Sequence, residues 1–303
     1  MIRQLDVASR QLVSAGELAK AAWMDVVDPT AEERALLCSA RGIPDDFLSH
    51  ALDPDELARL DDAAGVRLIV VRVPWEPESG GVHRSVALGV VLTEHGVVTI
   101  CRYRTDVIDA LRELDALDPD DQVRFVLRTI LTAADRFLHH LREIDRRVGE
   151  HEDRLQESLR NAEVYALLQL QKSLVHFETA LASDKLLLER LRKDNAFGGE
   201  QDLFDDVEVE LAQAAQMTAT SGNILGEMMD AFASIISNNL NIVMKVLTSL
   251  TIVLTFPTMI SSLYGMNVAL PGQHERWAFY AVLAVSFLVS SLVAAYFVRR
   301  KWL

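Results

Sequence analysis

The motif Tyr264-Gly265-Met266-Asn267 lies at the end of the first of two long apolar stretches near the C-terminus. The first stretch has no charged residue from Val246 to Gln273, and the second has 22 uncharged residues from Trp277 to Val298. About 20 apolar residues are enough for a helix to cross a bilayer. The sequence therefore predicts two membrane-spanning helices, with the motif and a short loop between them.

The charges beside these two stretches predict their orientation. Lys245 precedes the first stretch and Arg299-Arg300-Lys301 follow the second, whereas the loop holds only Glu275 and Arg276, which we expect to form a cancelling pair. Positive residues are enriched on the cytoplasmic side of membrane proteins. We therefore expect both termini in the cytoplasm and the loop outside.

The composition of the whole chain limits its function. Its 303 residues suffice for two modest domains, and residues 1 to about 240 contain no membrane-length apolar run. The net charge of −14 argues against nucleic-acid binding, which needs clustered lysine and arginine. We find no phosphate-binding glycine loop, nucleophile elbow or zinc-enzyme motif. We therefore expect no nucleic-acid partner, no catalytic activity and no cofactor apart from metal ions.

The first hundred residues show the pattern of a mixed α/β domain. Trp23–Val27 is typical of a strand, and Thr30 with Glu33 predicts a capping box at the start of a helix. Residues 93–96 are typical of a short turn between two β-branched runs. The acidic segment from Asp45 to Asp62 is expected to be a solvated loop.

Helical periodicity begins after residue 106. Apolar residues at steps of three and four from Val123 to Val148 predict one long amphipathic helix. A second helix is predicted from Ala162 to Arg192, and residues 194–199 end it. A third runs from about Asp205 into the first apolar stretch. Helices of this length must pack against antiparallel neighbours or against copies of themselves.

The third helix carries charge of one sign. There is no basic residue between Lys193 and Lys245, so we expect its acidic start to have no neighbouring cation. Compositional bias in a solvated segment would explain this pattern. The alternative is a conduit whose electric field favours cations. The acidic residues are Asp194, Glu200, Asp202, Asp205, Asp206, Glu208, Glu210, Glu227 and Asp230.

A polar stripe at alternating steps of four and three follows the third helix into the membrane. Nine of its ten members are polar, where a coiled-coil seam would hold leucine or isoleucine. One threonine in a membrane helix can bond to its own backbone, but a continuous stripe must face water or other polar groups. Because two helices cannot enclose a pore, the stripe predicts a homo-oligomer with closed symmetry. The members are Asp230, Ser234, Ser237, Asn241, Met244, Thr248, Thr251, Thr255, Thr258 and Ser262.

The chain resembles the CorA family of divalent-cation channels over nearly its full length. The resemblance rests on the motif at 264–267, the run from Asn241 to Thr248, Pro257 and the basic C-terminal tip. It implies an α+β cytoplasmic domain with long antiparallel helices, a stalk helix and two C-terminal transmembrane helices, assembled as a funnel-shaped homopentamer. It also implies a location in the inner (plasma) membrane of a bacterial cell.

The domain boundaries expected from this resemblance are as follows. The α/β domain covers 1–118, the antiparallel helices 119–200, and the stalk helix 201–264, with its membrane part at about 244–264. The outer loop covers 265–276, the second transmembrane helix 277–298, and the cytoplasmic tip 299–303.

The resemblance further implies residue roles. Gly265, Met266 and Asn267 would form the outer selectivity site, and Met244 with Leu247 an apolar neck. Cytosolic Mg²⁺ bound near Asp205 and Asp206 would hold the channel closed. The expected pore-lining residues are Asp230, Asn241, Met244, Leu247, Thr248, Thr251, Thr255, Thr258 and Ser262.

The transported ion stays open between Mg²⁺ and Zn²⁺, Co²⁺ or Ni²⁺. The motif is followed by residues 268–275, which hold a single carboxylate, Glu275, and His274, which could favour softer metals. The zinc-transporting ZntB branch is therefore an alternative, as is a membrane-anchored helical scaffold that transports nothing. His139 and His140 are adjacent on a helix and cannot chelate one ion together.

Overall fold

A computed structural model describes residues 2–5, 12–13, 22–77, 81–114, 117–157, 161–268, 272 and 275–302. The chain divides into two compact units, Met1–Glu227 and Met228–Leu303. The expected boundaries near residues 118, 200 and 276 concern subdivisions finer than these two units and stay predictions.

The first unit contains a seven-stranded sheet in the order β2-β1-β3-β7-β6-β5-β4. Neighbouring strands are antiparallel except β3 and β7, which pair in parallel. Strands β5, β6 and β7 are buried on both faces, which explains their nearly continuous apolar sequence. The strands are β1 (Ile2–Leu5), β2 (Leu12–Val13), β3 (Trp23–Val27), β4 (Arg59–Ala63), β5 (Val66–Trp75), β6 (Arg84–Thr93) and β7 (Gly96–Cys101).

Helices cover both faces of this sheet. Met24 and Val26 of β3 point into a core that they share with Leu37 of the first helix and Leu48 of the second. On the opposite face Trp23 contacts Phe125 of the fourth helix, with ring centroids 5.1 Å apart. The helices are α1 (Ala31–Arg41), α2 (Asp45–Leu52), α3 (Asp106–Glu113), α4 (Gln122–Glu157), α5 (Asn161–Lys193), α6 (Gln201–Tyr264) and α7 (Trp277–Arg299).

Local sequence signals placed several of these elements correctly. The strand at Trp23–Val27 is confirmed, as is the capping box, in which Thr30 accepts from the Glu33 N–H and the Glu33 side chain accepts from the Thr30 N–H. Helix α5 extends one residue beyond the predicted range at each end, and a 3₁₀ turn at Asn195–Phe197 follows it.

The prediction of an acidic loop from Asp45 to Asp62 is wrong at both ends of this segment, although Asp53 and Asp55 do lie exposed in the connection between α2 and β4. Asp45 and Asp46 occupy the first turn of α2, where carboxylates interact favourably with the helix dipole. Asp62 lies in β4, which pairs with β5, and its carboxylate lies 2.6 Å from Nε of Arg67. Strand pairing and this ion pair outweigh the low strand propensity of aspartate.

Helices α4 and α5 run antiparallel, as predicted. His151 contacts Glu163 near the connection between them, at 2.6 Å. Fourteen residues further from that connection on each helix, Phe137 contacts Phe177 with ring centroids 4.9 Å apart. Helix α6 has 64 residues, and the boundary between the two units falls inside it.

A buried carboxylate on α5 predicts a measurable pH dependence of stability. Asp184 is fully buried and its Oδ1 accepts from the Arg72 backbone N–H at 2.8 Å, while Oδ2 has no hydrogen bond to any of the described residues. Burial raises the pKa of Asp184 well above its usual value. The folded state therefore binds this proton more tightly than the unfolded state. The free energy of unfolding should fall as pH rises from the usual aspartate pKa towards the raised one.

Asp184→Asn should consequently raise the thermal midpoint at neutral pH and flatten its pH dependence, because the amide keeps the acceptor for Arg72 without burying a charge. Circular dichroism melts of the full chain in detergent between pH 4 and 8 would measure this. Glu178→Gln, on the exposed face of the same helix, is the matched control. A lower midpoint for Asp184→Asn at every pH would contradict the prediction.

Candidate ion pathway

Two helices of the second unit are long and apolar enough to cross a membrane. They are α6, in its C-terminal part, and α7. Only 6% and 11% of their most apolar windows are buried in the structure, unlike the core helices of soluble proteins. An exposed apolar surface of this size needs a lipid or protein neighbour.

Small residues bring α6 and α7 together. Ser290 Oγ donates to the Val253 carbonyl at 3.3 Å, and Ser249 and Ser286 are both buried. Small residues allow membrane helices to approach closely. These serines are not among the residues that the sequence predicts to have a role. The sequence does contain a signal for this helix contact, because Ser286 and Ser290 are small residues four positions apart.

The polar stripe lies on the opposite side of α6 from this contact. Thr251 and Thr255 are each two positions from Val253, which places them about 200° around the helix. All ten members of the stripe are exposed, whereas Ile252 and Val253 are half-buried. The stripe is therefore exposed in one chain, while α7 covers the other face of α6.

Three of the four threonine hydroxyls of the stripe bond to their own helix. Thr251, Thr255 and Thr258 donate to the carbonyls four residues earlier, at 2.8, 2.8 and 3.0 Å. Each hydroxyl has one proton to donate, so its oxygen is left only as an acceptor on the exposed side. A row of acceptors suits the outward-pointing hydrogens of a hydrated cation.

The apolar neck residues expected between Asn241 and Thr248 are also exposed. Met244 is 53% and Leu247 56% exposed. Neither is therefore buried by packing within one chain. Asn241 and Asp230 are exposed on the same helix, and all these residues share one continuous element.

The motif follows directly on the last turn of α6, which ends at Tyr264. The Gly265 N–H donates to the Ser261 and Ser262 carbonyls at 3.0 and 3.2 Å, and the Met266 N–H to the Leu263 carbonyl at 3.4 Å. Asn267 is exposed, and its side chain forms no hydrogen bond with the described part of the chain. Its amide is thus available to an external ligand.

The outer loop differs from expectation at one point. Glu275 and Arg276 are both exposed and form no ion pair with any residue in the described ranges, so the expected pairing of these two side chains is wrong. Adjacent residues at the start of a helix point in different directions. His274 lies outside the described residues.

The acidic start of α6 does have a neighbouring cation, contrary to expectation. Arg192 at the end of α5 lies 2.9 Å from Asp205 and 2.8 Å from Glu208. The turn between the helices brings Arg192 alongside, which a scan for basic residues along α6 alone cannot detect. Asp206 is exposed and pairs with no cation that the structure describes. Of the two expected metal ligands, only Asp206 is therefore uncompensated within one chain.

Comparison with known proteins identifies the family of this chain. A profile of CorA-like Mg²⁺ transporter proteins matches residues 19–300. The cobalt/magnesium transport protein CorA of Methanocaldococcus jannaschii is 27% identical over 294 residues, covering 93% of this chain and 91% of that protein. The protein of the same name from Thermotoga maritima is 27% identical over 225 residues, covering 71% and 64%.

The fold is also that of a solved relative. The complete structure of the CorA magnesium transporter from Methanocaldococcus jannaschii superposes with a TM-score of 0.83 at 22% identity, covering 100% of this chain and 98% of that one. This likeness extends from the α/β sheet to the two C-terminal helices. The resemblance based on the motif and the two apolar stretches is confirmed, and the chain belongs to the CorA-like Mg²⁺ transporter family.

Proposed function

We propose that this chain forms a homopentameric channel through which Mg²⁺ enters the cell. The observation that carries the proposal is the exposed polar stripe of α6, on the side opposite α7. Copies arranged about an axis would turn these stripes inward and enclose a pore. The number five comes from the resemblance to CorA channels, and the flanking positive charges support cytoplasmic termini in the inner membrane.

Asn267 is the residue best suited to select the ion at the outer mouth. Mg²⁺ is small, demands octahedral geometry and loses its water reluctantly. A ring of neutral amide oxygens accepts hydrogen bonds from the water shell without removing it. The acceptor oxygens of Thr251, Thr255 and Thr258 then continue the same type of contact along the pore.

The membrane potential supplies the driving force. Each unit charge gains about 2.3 kcal/mol per 100 mV on entering a negative interior, so a divalent ion gains roughly twice that. Uptake then needs neither ATP hydrolysis nor a coupled ion. Met244 and Leu247 would close the pore by excluding water from an apolar constriction.

Cobalt is the second candidate cargo. Two relatives at 27% identity are named cobalt/magnesium transport proteins, which favours an overlap of these ions here. Zn²⁺ and Ni²⁺ transport, as in the ZntB branch, is a less supported variant. A scaffold without transport would have no reason to keep a polar stripe within an apolar helix.

Flux into proteoliposomes that contain the purified chain tests this proposal. Mg²⁺, Co²⁺, Ni²⁺ and Zn²⁺ should be compared side by side at an inside-negative potential. We expect Mg²⁺ flux that scales with the potential and persists when the proton gradient is dissipated. Flux of Zn²⁺ alone would favour the ZntB-like alternative, and flux of none of the ions would favour the scaffold.

Regulation by cytosolic Mg²⁺ gives a further prediction at Asp206. Copies of this exposed carboxylate would repel one another if an oligomer brings them close, unless a cation neutralises them. Asp206→Lys should supply that charge. We expect it to protect the full chain from protease without added Mg²⁺, to the degree that saturating Mg²⁺ protects the parent.

Asp153→Lys, at an exposed aspartate of α4, is the control and should leave the Mg²⁺ dependence unchanged. If neither Mg²⁺ nor Asp206→Lys changes the protease sensitivity, the acidic start of α6 is a solvated surface favoured by the helix dipole.

A further inference from the structure

Glu76, His83 and His140 form a compact cluster within the first unit. Glu76 follows β5, His83 precedes β6 and His140 lies on α4. One potential ligand atom from each side chain lies within 4.8 Å of the other two, and His83 Nε2 is 3.7 Å from Glu76 Oε1. Ligand atoms of a tetrahedral zinc site lie about 3.4 Å apart, given metal–ligand distances of about 2.0–2.2 Å. Small side-chain rotations would therefore complete a site.

The burial of His83 points independently to a ligand. Its side chain is 0% exposed, yet neither ring nitrogen forms a hydrogen bond with any residue that the structure describes. Buried polar groups almost always have a partner. The backbone of His83 is held in place, because its N–H donates to Ser173 Oγ at 2.9 Å. A shift of the backbone therefore cannot move the ring out of this buried position. Two unpartnered nitrogens at a fixed, fully buried position are thus unexplained by packing alone.

The contacts of His83 and Glu76 leave ligand atoms of both side chains available to a metal. Burial lowers the pKa of His83, which is the direction that favours the neutral imidazole. Glu76 Oε1 accepts from Arg147 at 3.0 Å, and a carboxylate retains further acceptor positions. The ion pair keeps Glu76 oriented without occupying all its lone pairs.

Asp106 lies behind His140. Its Oδ2 is 3.2 Å from His140 Nε2, close enough for an ion pair but outside hydrogen-bonding geometry. In the described part of the chain, that nitrogen therefore also has no hydrogen bond. Carboxylates next to ligand histidines commonly orient the ring and raise its basicity. A small rotation of His140 would let Asp106 take that role.

We propose that Glu76, His83 and His140 bind one divalent transition-metal ion, of the Zn²⁺, Co²⁺ or Ni²⁺ class, with water completing its coordination. Two imidazoles and one carboxylate suit these ions, whereas Mg²⁺ prefers oxygen ligands only. The ion would tie the connection between β5 and β6 to α4. All three ligands belong to the first unit, so the inference does not depend on the proposed transport function.

Co²⁺ binding to the full-length protein in detergent tests the site. Cobalt held by two imidazoles and a carboxylate at low coordination number absorbs visible light far more strongly than hydrated or all-oxygen octahedral cobalt. We expect one equivalent of Co²⁺ per chain to give this strong band. Zn²⁺ should abolish the band, and excess Mg²⁺ should not. A weak octahedral spectrum at all Co²⁺ concentrations would overturn the proposal.

Ligand variants locate the site. His140→Gln and Glu76→Gln should each lower the Co²⁺ affinity at least roughly tenfold. Loss of a residue that only hydrogen-bonds to a metal ligand already costs about that much, and loss of a ligand should cost more. His139→Gln is the matched control, since His139 is exposed and adjacent on the same helix. Zn²⁺ should raise the thermal midpoint of the parent and of His139→Gln only.

Both His140 and Glu76 are partly exposed, so their variants should fold even if a variant of the buried His83 does not. Equal Co²⁺ affinity in His140→Gln and His139→Gln would rule out His140 as a ligand and overturn the proposed site.

Discussion

Asn267→Ala should reduce Mg²⁺ flux to the level of protein-free liposomes. The side chain is exposed at the end of α6 and forms no hydrogen bond with the described residues, so its removal disturbs no contact within the chain. What is lost is the amide oxygen that accepts from the ion's water shell. Because the ion keeps this shell, no other group at the motif replaces the lost contact.

Stopped-flow or fluorescent-dye measurements of Mg²⁺ entry would quantify the loss, with size-exclusion chromatography to show that the oligomer persists. Val268→Ala, at the next exposed position, should conduct like the parent. Parental flux through Asn267→Ala would remove Asn267 from the selectivity site.

Gly265→Ala should also abolish flux, for a steric reason. A Cβ atom at Gly265 would lie 3.3 Å from the Ser261 carbonyl oxygen and 3.6 Å from that of Ser262. Both carbonyls accept the Gly265 N–H at the end of the helix. The 3.3 Å approach to Ser261 is tighter than most Cβ contacts, so the backbone there must yield by a few tenths of an ångström. The shift would move Met266 and Asn267 together. An intact oligomer with normal flux would show that the motif tolerates this displacement.

The sequence predicted well those features that depend on neighbouring residues. The capping box at Thr30 and Glu33 and the range of α5 follow from contacts three or four positions apart. The polar stripe is likewise visible because one helix carries all its members at regular steps. The charge-free stretches predicted the two spans because bilayer thickness fixes their length.

Features that join distant segments could not be predicted from one sequence. The parallel pairing of β3 with β7 brings Trp23 beside Val97, and Asp184 meets Arg72 across 112 positions. The cluster containing His83 and His140 is of the same kind. The sequence relates His140 only to its neighbour His139, since periodicity along one helix says nothing about a strand packed against it.

The second large effect is expected within the stripe. Thr255→Leu should block Mg²⁺ flux, because it replaces an exposed acceptor oxygen by a bulkier apolar side chain on the face opposite α7. Thr255→Ser keeps the hydroxyl and should conduct. Val285→Leu adds comparable bulk to an exposed position of α7 and should leave the flux unchanged.

Met244→Ser should have the opposite effect and make the channel leak at cytosolic Mg²⁺ concentrations that close the parent. A hydroxyl in place of the thioether lets water wet the apolar neck, which removes the barrier that dewetting provides. Val246→Ser is the matched control, because Val246 is exposed but lies about 200° around the helix from Met244.

Flux should be recorded for Thr255→Leu and Met244→Ser at low and at saturating Mg²⁺ on the cytosolic side. A pore lined by the stripe requires opposite changes in flux. Thr255→Leu narrows a hydrated segment of the pore and should lower the flux, whereas Met244→Ser hydrates the apolar neck and should raise it. If both variants conduct like the parent under both conditions, the stripe does not face the ion, and the polar residues of α6 must serve contacts between subunits instead.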